Sequence, residues 1–170
     1  MAFNPDFEFR KMIVDVHLTD KIKYCYQCSR CNDVCPVYEA SEGLYNPRML
    51  IMGSLLGLKG LLMGADQFQV WGCQVCDTCD EECPQSIHLT EIFALLKNLS
   101  VQAGAAPEYY TTQAKMIFEN GKAIPMQAGI ERRRDKLELP KVQPPDLNEI
   151  QTILKATKLD TKIKYQPGAE

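Results

Sequence analysis

The chain has 170 residues, 19 basic and 22 acidic, for a formal net charge of -3, a balance that excludes a generic polyanion or nucleic-acid binder. With 45% apolar and 24% charged residues it is globular in composition rather than disordered. Eight cysteines stand out, because packing alone does not need so many thiols.

The first nine residues carry Asp6 and Glu8 and lack a basic start followed by an apolar run. No secretory signal is therefore expected, and the chain is placed in the cytoplasm. A reducing cytoplasm disfavours a disulfide framework and leaves the thiols for metal or cofactor ligation. Residues 7–18 mix two periods: Phe7 and Phe9 alternate, whereas Phe9, Ile13 and Val16 fall on one helix face, and a helix is predicted.

Next comes Cys25, Cys28, Cys31, Cys35 and Pro36, which recurs 48 positions later as Cys73, Cys76, Cys79, Cys83 and Pro84. The run Cys-x2-Cys-x2-Cys-x3-Cys-Pro is the spacing by which bacterial-type ferredoxins hold 4Fe-4S clusters. Three thiolates at such intervals wrap a loop around three corners of a cubane, the fourth reaches across, and the proline turns the chain away. By the two-cluster rule the fourth cysteine of each run serves the other cluster. Cys25, Cys28, Cys31 and Cys83 are thus assigned to the first cluster, and Cys73, Cys76, Cys79 and Cys35 to the second. Structural zinc is the rival, but it usually takes two separated pairs and leaves the middle cysteine of each run unexplained.

Between the runs, Asn46-Pro47 reads as an N-cap followed by proline at the first helical position. The apolar stretch 49–65 is about 17 residues long with Lys59 inside it, at the short limit for a membrane span, and is read as buried in protein. Gly53, Gly57, Gly60 and Gly64 recur on one helical face. Each costs a helix about 1 kcal/mol relative to alanine, so the stretch is either one helix closely packed against another backbone or two pieces hinged at Gly57 or Gly60. Trp71, just ahead of Cys73, is expected to pack and to shield the second cluster. Met49, Met52 and Met63 read as core or interface filler.

After the second run, Ile92, Leu95, Leu96 and Leu99 keep helical spacing and the pattern ends at Gly104. Pro107 opens another helix, with Tyr110, Ala114, Ile117 and Phe118 on its apolar face and Gly121 as its C-terminal cap. Arg132, Arg133 and Arg134 form a basic run, either a solvated face or a docking patch. Pro140, Pro144 and Pro145 then break the chain, and Asp146 with Glu149 resembles a capping box opening a helix through Leu147, Ile150 and Leu154. That helix either docks on another polypeptide or folds back on its own domain. The expected division is an N-terminal extension 1–20, a di-cluster domain 21–139 and a docking arm 140–170. His17 and His88 have no ligand partners in sequence and are expected to be exposed.

No Gly-x-Gly-x-x-Gly fingerprint, nucleotide loop or further cysteine pair is present, so no catalytic residue is assigned. Two clusters without flavin, nucleotide or substrate chemistry make a relay, and a free ferredoxin-like carrier is its rival. Each oxidised cluster with four thiolates adds about -2, which brings the loaded protein near -7 and favours basic partner surfaces.

The two cysteine runs, with Trp71-Gly72 before the second, the helical stretch between them and the apolar run 89–99, resemble the C-type iron-sulfur subunits of heterodisulfide reductase and their relatives over residues 24–120 or so. The resemblance implies an all-helical ferredoxin-like fold with two 4Fe-4S loops. It also implies a relay between two other subunits of the heterodisulfide reductase complex. One is the A-type, flavin-containing subunit, with a hydrogenase or formate dehydrogenase as a source of electrons through it. The other is the B-type, catalytic subunit, which reduces the disulfide of coenzyme M and coenzyme B. The same relay role in a heterodisulfide reductase-like complex of sulfur metabolism fits the motifs equally. Succinate dehydrogenase iron-sulfur subunits share a helical cluster domain, but need additional cysteines for a two-iron motif that this chain lacks.

Overall fold

The computed structural model describes residues 4–17, 19–63 and 68–163, and among these every regular element is helical. The chain divides into two compact units, one up to Ala106 and one from Pro107 onward.

The first unit opens with α1 (Phe7–Val14), whose N-cap Asp6 accepts a hydrogen bond from the Phe9 N–H at 2.9 Å. It stops at Val14, short of residue 18, because Thr19 turns back and its hydroxyl donates to the Ile13 carbonyl. Val16 is consequently outside the helix and exposed, and Leu18 lies outside the described residues. After a 3-10 turn (Asp20–Tyr24) come the short helices α2 (Arg30–Asp33) and α3 (Pro36–Ala40), then α4 (Pro47–Leu56) and α5 (Lys59–Leu62). The Asn46 side chain caps α4 by accepting from the Met49 N–H at 3.0 Å, with Pro47 at the first helical position as expected.

The 49–65 stretch breaks at Gly57, so the hinged reading holds. Gly57 has φ +68°, its N–H donates to the Ser54 carbonyl, and the Leu58 N–H reaches back to the Gly53 carbonyl. This pair of bonds is a Schellman closure, for which a left-handed glycine is the favoured residue. The Asp6 N–H also docks on the Gly57 carbonyl at 2.8 Å, which binds the start of α1 to the end of α4. Gly53 packs against Leu62, whereas Gly60 has open space around it. The glycines therefore do not form one packing stripe, and Gly64 lies outside the described residues.

Three further helices complete the unit: α6 (Phe68–Trp71), α7 (Thr78–Glu81) and the long α8 (Leu89–Gln102). The helices α1, α4 and α8 pack together, with Phe9, Ile13, Leu50, Ile51, Ile92, Phe93 and Leu96 buried between them. Each such side chain contributes about 1.5–3 kcal/mol of transfer free energy. This helical core is the platform on which the two cysteine loops are held.

In the second unit, α9 (Glu108–Asn120) ends at Gly121 with φ +67°, and α10 (Ala128–Lys136) buries none of its residues. Arg132 and Arg133 are solvated, while Arg134 donates to the Pro140 carbonyl at 2.8 Å. Asp146 caps α11 (Leu147–Ala156) by accepting from the Asn148 and Glu149 N–H groups, and α12 (Leu159–Lys162) follows. The helix α11 folds back on α9: Gln151 donates to the Phe118 carbonyl, and Pro145 and Ile150 close on Gly121. The boundary between the two compact units follows Ala106, and within the second unit the buried Phe118 lies between α9 and α11. No helix among the described residues is long and apolar enough to cross a membrane.

Candidate iron-sulfur centres

The cysteine loops adopt one backbone form twice. Gln27 and Ser29 have φ of +58° and +68°, and Val75 and Asp77, 48 positions on, have +53° and +60°. Left-handed residues alternating with others curl a backbone so that successive N–H groups turn inward, which makes a concavity for negative charge. Valine is a costly residue at such an angle, and it sits between two of the cysteines. The short helices α2 and α7 that follow pack against each other. Arg30 and Glu82 join the two copies at 2.6 Å.

All eight thiols are free, and they divide between two cavities. One is lined by Cys25, Cys28, Cys31 and Cys83, together with Arg48, Ile51, Ile87 and Leu89. The other is lined by Cys35, Cys73, Cys76 and Cys79, together with Tyr45, Pro47, Thr90 and Phe93. The first three cysteines of each run thus share a cavity with the fourth cysteine of the other run. Cys28 and Cys76 are exposed, while Cys73 and Cys79 are buried.

These donors suit a polynuclear cluster. Four thiols round the wall of each cavity match a cubane, in which each iron takes one cysteine. Burial, with the charges of Cys25, Cys28 and Cys83 around it, pushes the Cys31 thiol up to about 12. Burial and the adjacent Asp80 push Cys79 up as well. A cationic iron core offsets both causes, since metal ligation displaces the thiol proton.

Hydrogen-bond donors already face the sulfurs. Gln27 Nε2 lies 3.3 Å from Cys25 Sγ, and the Val75 N–H lies 3.4 Å from Cys73 Sγ. The Tyr38 N–H lies 3.4 Å from Cys35 Sγ and Thr78 Oγ1 3.5 Å from Cys76 Sγ. Gln27 is oriented in turn by Arg48 Nε on its Oε1 at 3.3 Å. Such outer partners orient ligands and tune a cluster's potential.

The loops are fastened to the core by two equivalent side chains. Asn32 Oδ1 accepts from the Arg48 N–H at 2.9 Å, and Asp80 Oδ1 accepts from the Thr90 N–H at 3.0 Å. Aligning the two copies of the run would have exposed this pair, since both follow the third cysteine. Tyr45 had no such signal. Trp71 is buried and donates to Ser100 Oγ at 3.1 Å, but it is not among the residues lining either cavity. His17 and His88 are exposed, as expected.

Residues 21–87 match the 4Fe-4S dicluster domain family. The chain is 32% identical over 168 residues to the second C-type iron-sulfur subunit of the CoB–CoM heterodisulfide reductase of Methanocaldococcus jannaschii, covering 95% of this chain and 88% of that one. It belongs to the family of heterodisulfide reductase C-type iron-sulfur subunits. It is also 31% identical over 168 residues to a protein of Archaeoglobus profundus described as like the heterodisulfide reductase C subunit, covering 94% of this chain and 87% of that one. With the C2 subunit of the H(2)/formate:CoB-CoM heterodisulfide,ferredoxin reductase of Methanococcus maripaludis the identity is 30% over 150 residues, 85% of this chain and 79% of that one. Membership in this family, with the dicluster domain, makes the chain an iron-sulfur electron-transfer subunit with two 4Fe-4S clusters, one component of a multi-subunit complex.

Proposed function

We propose that Cys25, Cys28, Cys31 and Cys83 ligate one cluster and Cys73, Cys76, Cys79 and Cys35 the other. On this reading the chain conducts electrons from the A-type flavin subunit to the B-type catalytic subunit, which reduces the CoM-S-S-CoB disulfide. The observation that carries the ligand set is the exchange of fourth cysteines between the two cavities. The relatives' names speak of the CoB-CoM heterodisulfide and, in one case, of H2 and formate, which is consistent with a hydrogenase or formate dehydrogenase feeding the flavin subunit.

When bound, the clusters supply two one-electron carriers in series. The protein's own part is to hold eight thiolates, to keep donors such as Gln27 and the Val75 N–H on the sulfurs, and to fix the two loops against each other through α2 and α7. Cys28 and Cys76 are exposed, and on this reading partner subunits approach the clusters there. Eight free thiols suit a reducing cytoplasm.

Two experiments test this reading. Anaerobic purification from the host should give about eight irons and eight sulfides per chain, with a flavoprotein and a second cysteine-rich chain copurifying. Zinc without sulfide would overturn the reading, and the same iron without partners would make the chain a free carrier. Second, Cys35→Ser should perturb the cluster held by Cys73, Cys76 and Cys79. Loss confined to the cluster of Cys25, Cys28 and Cys31 would refute the ligand set.

A further inference from the structure

The two cavities are built to one plan. Arg48 and Thr90 are the second residues of α4 and α8, and each docks on the equivalent loop side chain, Asn32 or Asp80. With the helices aligned on that pair, Ile51 matches Phe93, Pro47 matches Leu89, and Tyr45 matches Ile87. Every member of these pairs lines one cavity while its counterpart lines the other. At the position where Ile87 presents only hydrocarbon to the first cavity, Tyr45 therefore brings a hydroxyl to the second.

That hydroxyl is buried and has no partner in good hydrogen-bonding geometry, and the side chain that acts on it as a hydrogen-bond partner is Cys73. The residue is 1% exposed, and its ring is fixed by edge contacts with Phe68 and Phe93, both at 6.4 Å between centroids. Gly72 makes room for it, since a Cβ there would come within 2.7 Å of the Tyr45 ring. Burial raises the pKa of the phenol, and Cys73, then Cys35 and Cys79, are the thiols acting on it. A phenol is neutral at pH 7, so the group is an O–H donor belonging to a residue that lines the cavity of Cys35, Cys73, Cys76 and Cys79. A buried O–H without an acceptor costs about 1–3 kcal/mol, and such orphans are rare in native structures. A phenylalanine would fill the same space without that cost.

We infer that the Tyr45 hydroxyl donates a hydrogen bond to a sulfur of the second cluster and sets that cluster's reduction potential above the value it would have without the donor. The inference rests on the ligand set proposed above. The accepting sulfur belongs either to Cys73 or to the cluster core, both of which are electron-rich. Reduction adds a negative charge to the cluster, so a fixed donor stabilises the reduced form more than the oxidised one. Tyr45 acts here as a tuning residue and not as a ligand.

The test compares the full chain with Tyr45→Phe, both loaded and purified anaerobically, by iron and sulfide assay and by redox titration followed by electron paramagnetic resonance. Cys76→Ser and Cys35→Ser identify which signal belongs to the second cluster. The expected result is unchanged iron and sulfide, with the second cluster about tenfold less reduced at a fixed potential, a fall of ~59 mV for one electron. The first cluster keeps its potential. In resonance Raman spectra, a deuterium-sensitive iron-sulfur stretch of the second cluster should vanish in Tyr45→Phe.

Full iron content with both potentials unmoved would overturn the inference, as would equal shifts in both. Loss of iron in Tyr45→Phe would make the hydroxyl a structural element instead. If Cys76→Ser and Cys35→Ser perturb different clusters, the ligand set itself fails and the inference falls with it.

Discussion

Asn32 and Asp80, 48 positions apart, make the same connection in the two halves of the cluster unit: each side chain accepts a hydrogen bond from the backbone N–H of the second residue of a core helix, Arg48 at 2.9 Å and Thr90 at 3.0 Å. The two differ in charge. Asn32 is neutral and spends its amide on Asn46 Oδ1 at 3.1 Å, whereas Asp80 also takes the Thr90 hydroxyl at 2.6 Å and stands 3.6 Å from Cys79 Sγ. One side chain position thus anchors the loop and, in the second copy alone, places a carboxylate beside a cysteine.

The two roles of Asp80 separate by substitution. Asp80→Ala removes the acceptor for α8 and should cost about 1–2 kcal/mol, as loss of an N-terminal cap does, read by denaturant unfolding. Asp80→Asn keeps an acceptor and removes the charge. It should leave the midpoint close to that of the parent chain and raise the potential of the second cluster only. A potential unaffected by Asp80→Asn would show the carboxylate to be electrostatically silent.

Val75 has φ +53° and is 55% exposed, so its side chain gives up little packing. Val75→Gly relieves a left-handed β-branched residue and should stabilise the chain by ~1 kcal/mol, against the entropy that glycine adds to the unfolded state. The measurement is the thermal midpoint of the loaded protein. A lower midpoint would mean that the valine side chain supports the loop.

In the second unit, Gly121→Ala is expected to destabilise on two counts. The residue has φ +67°, and a Cβ there would lie 2.6 Å from Pro145 Cγ and 3.0 Å from Ile150 Cδ1. Overpacking of this kind typically costs ~1–3 kcal/mol. Loss of helical signal on mild heating, with unchanged cluster spectra, is the expected result. Bleached clusters at the same temperature would contradict it.

Arg30 and Glu82 bridge the two loops but are both about half exposed. Exposed pairs contribute little to stability, so Arg30→Gln should shift the unfolding midpoint little, and the shift should shrink in high salt. A large effect at high salt would show that the loops depend on this contact more than on α2 and α7.

Removing the iron should be the largest perturbation of all. The half-buried Cys31 thiol, the buried Cys79 thiol and the strained loops are stable together only if ligation compensates them, and metal binding free energy is folding free energy in such sites. Chelation under oxidising conditions should expose 25–35 and 73–83 to protease. Loops that stay protected without iron would show that the helical core alone shapes them.

The cysteine spacing carried the cofactor in the sequence, because three ligands of each cluster are local and fall within seven residues of one another. The helix signals were local too: Asn46-Pro47 opens α4, Gly121 closes α9, and Asp146 caps α11, as their backbone chemistry requires. Where the signal was ambiguous, contacts from elsewhere decided. The apolar stretch breaks at Gly57 because that carbonyl receives Asp6, and α1 ends at Val14 because Thr19 reaches back to Ile13. Tyr45 lay wholly beyond sequence reading. It stands 28 positions before Cys73, outside either cysteine run, and only the packing of α4 against α8 brings its hydroxyl among the sulfurs. Local spacing determines which metal chemistry a chain can hold, whereas the environment that tunes it comes from side chains distant in sequence, which only tertiary packing assembles.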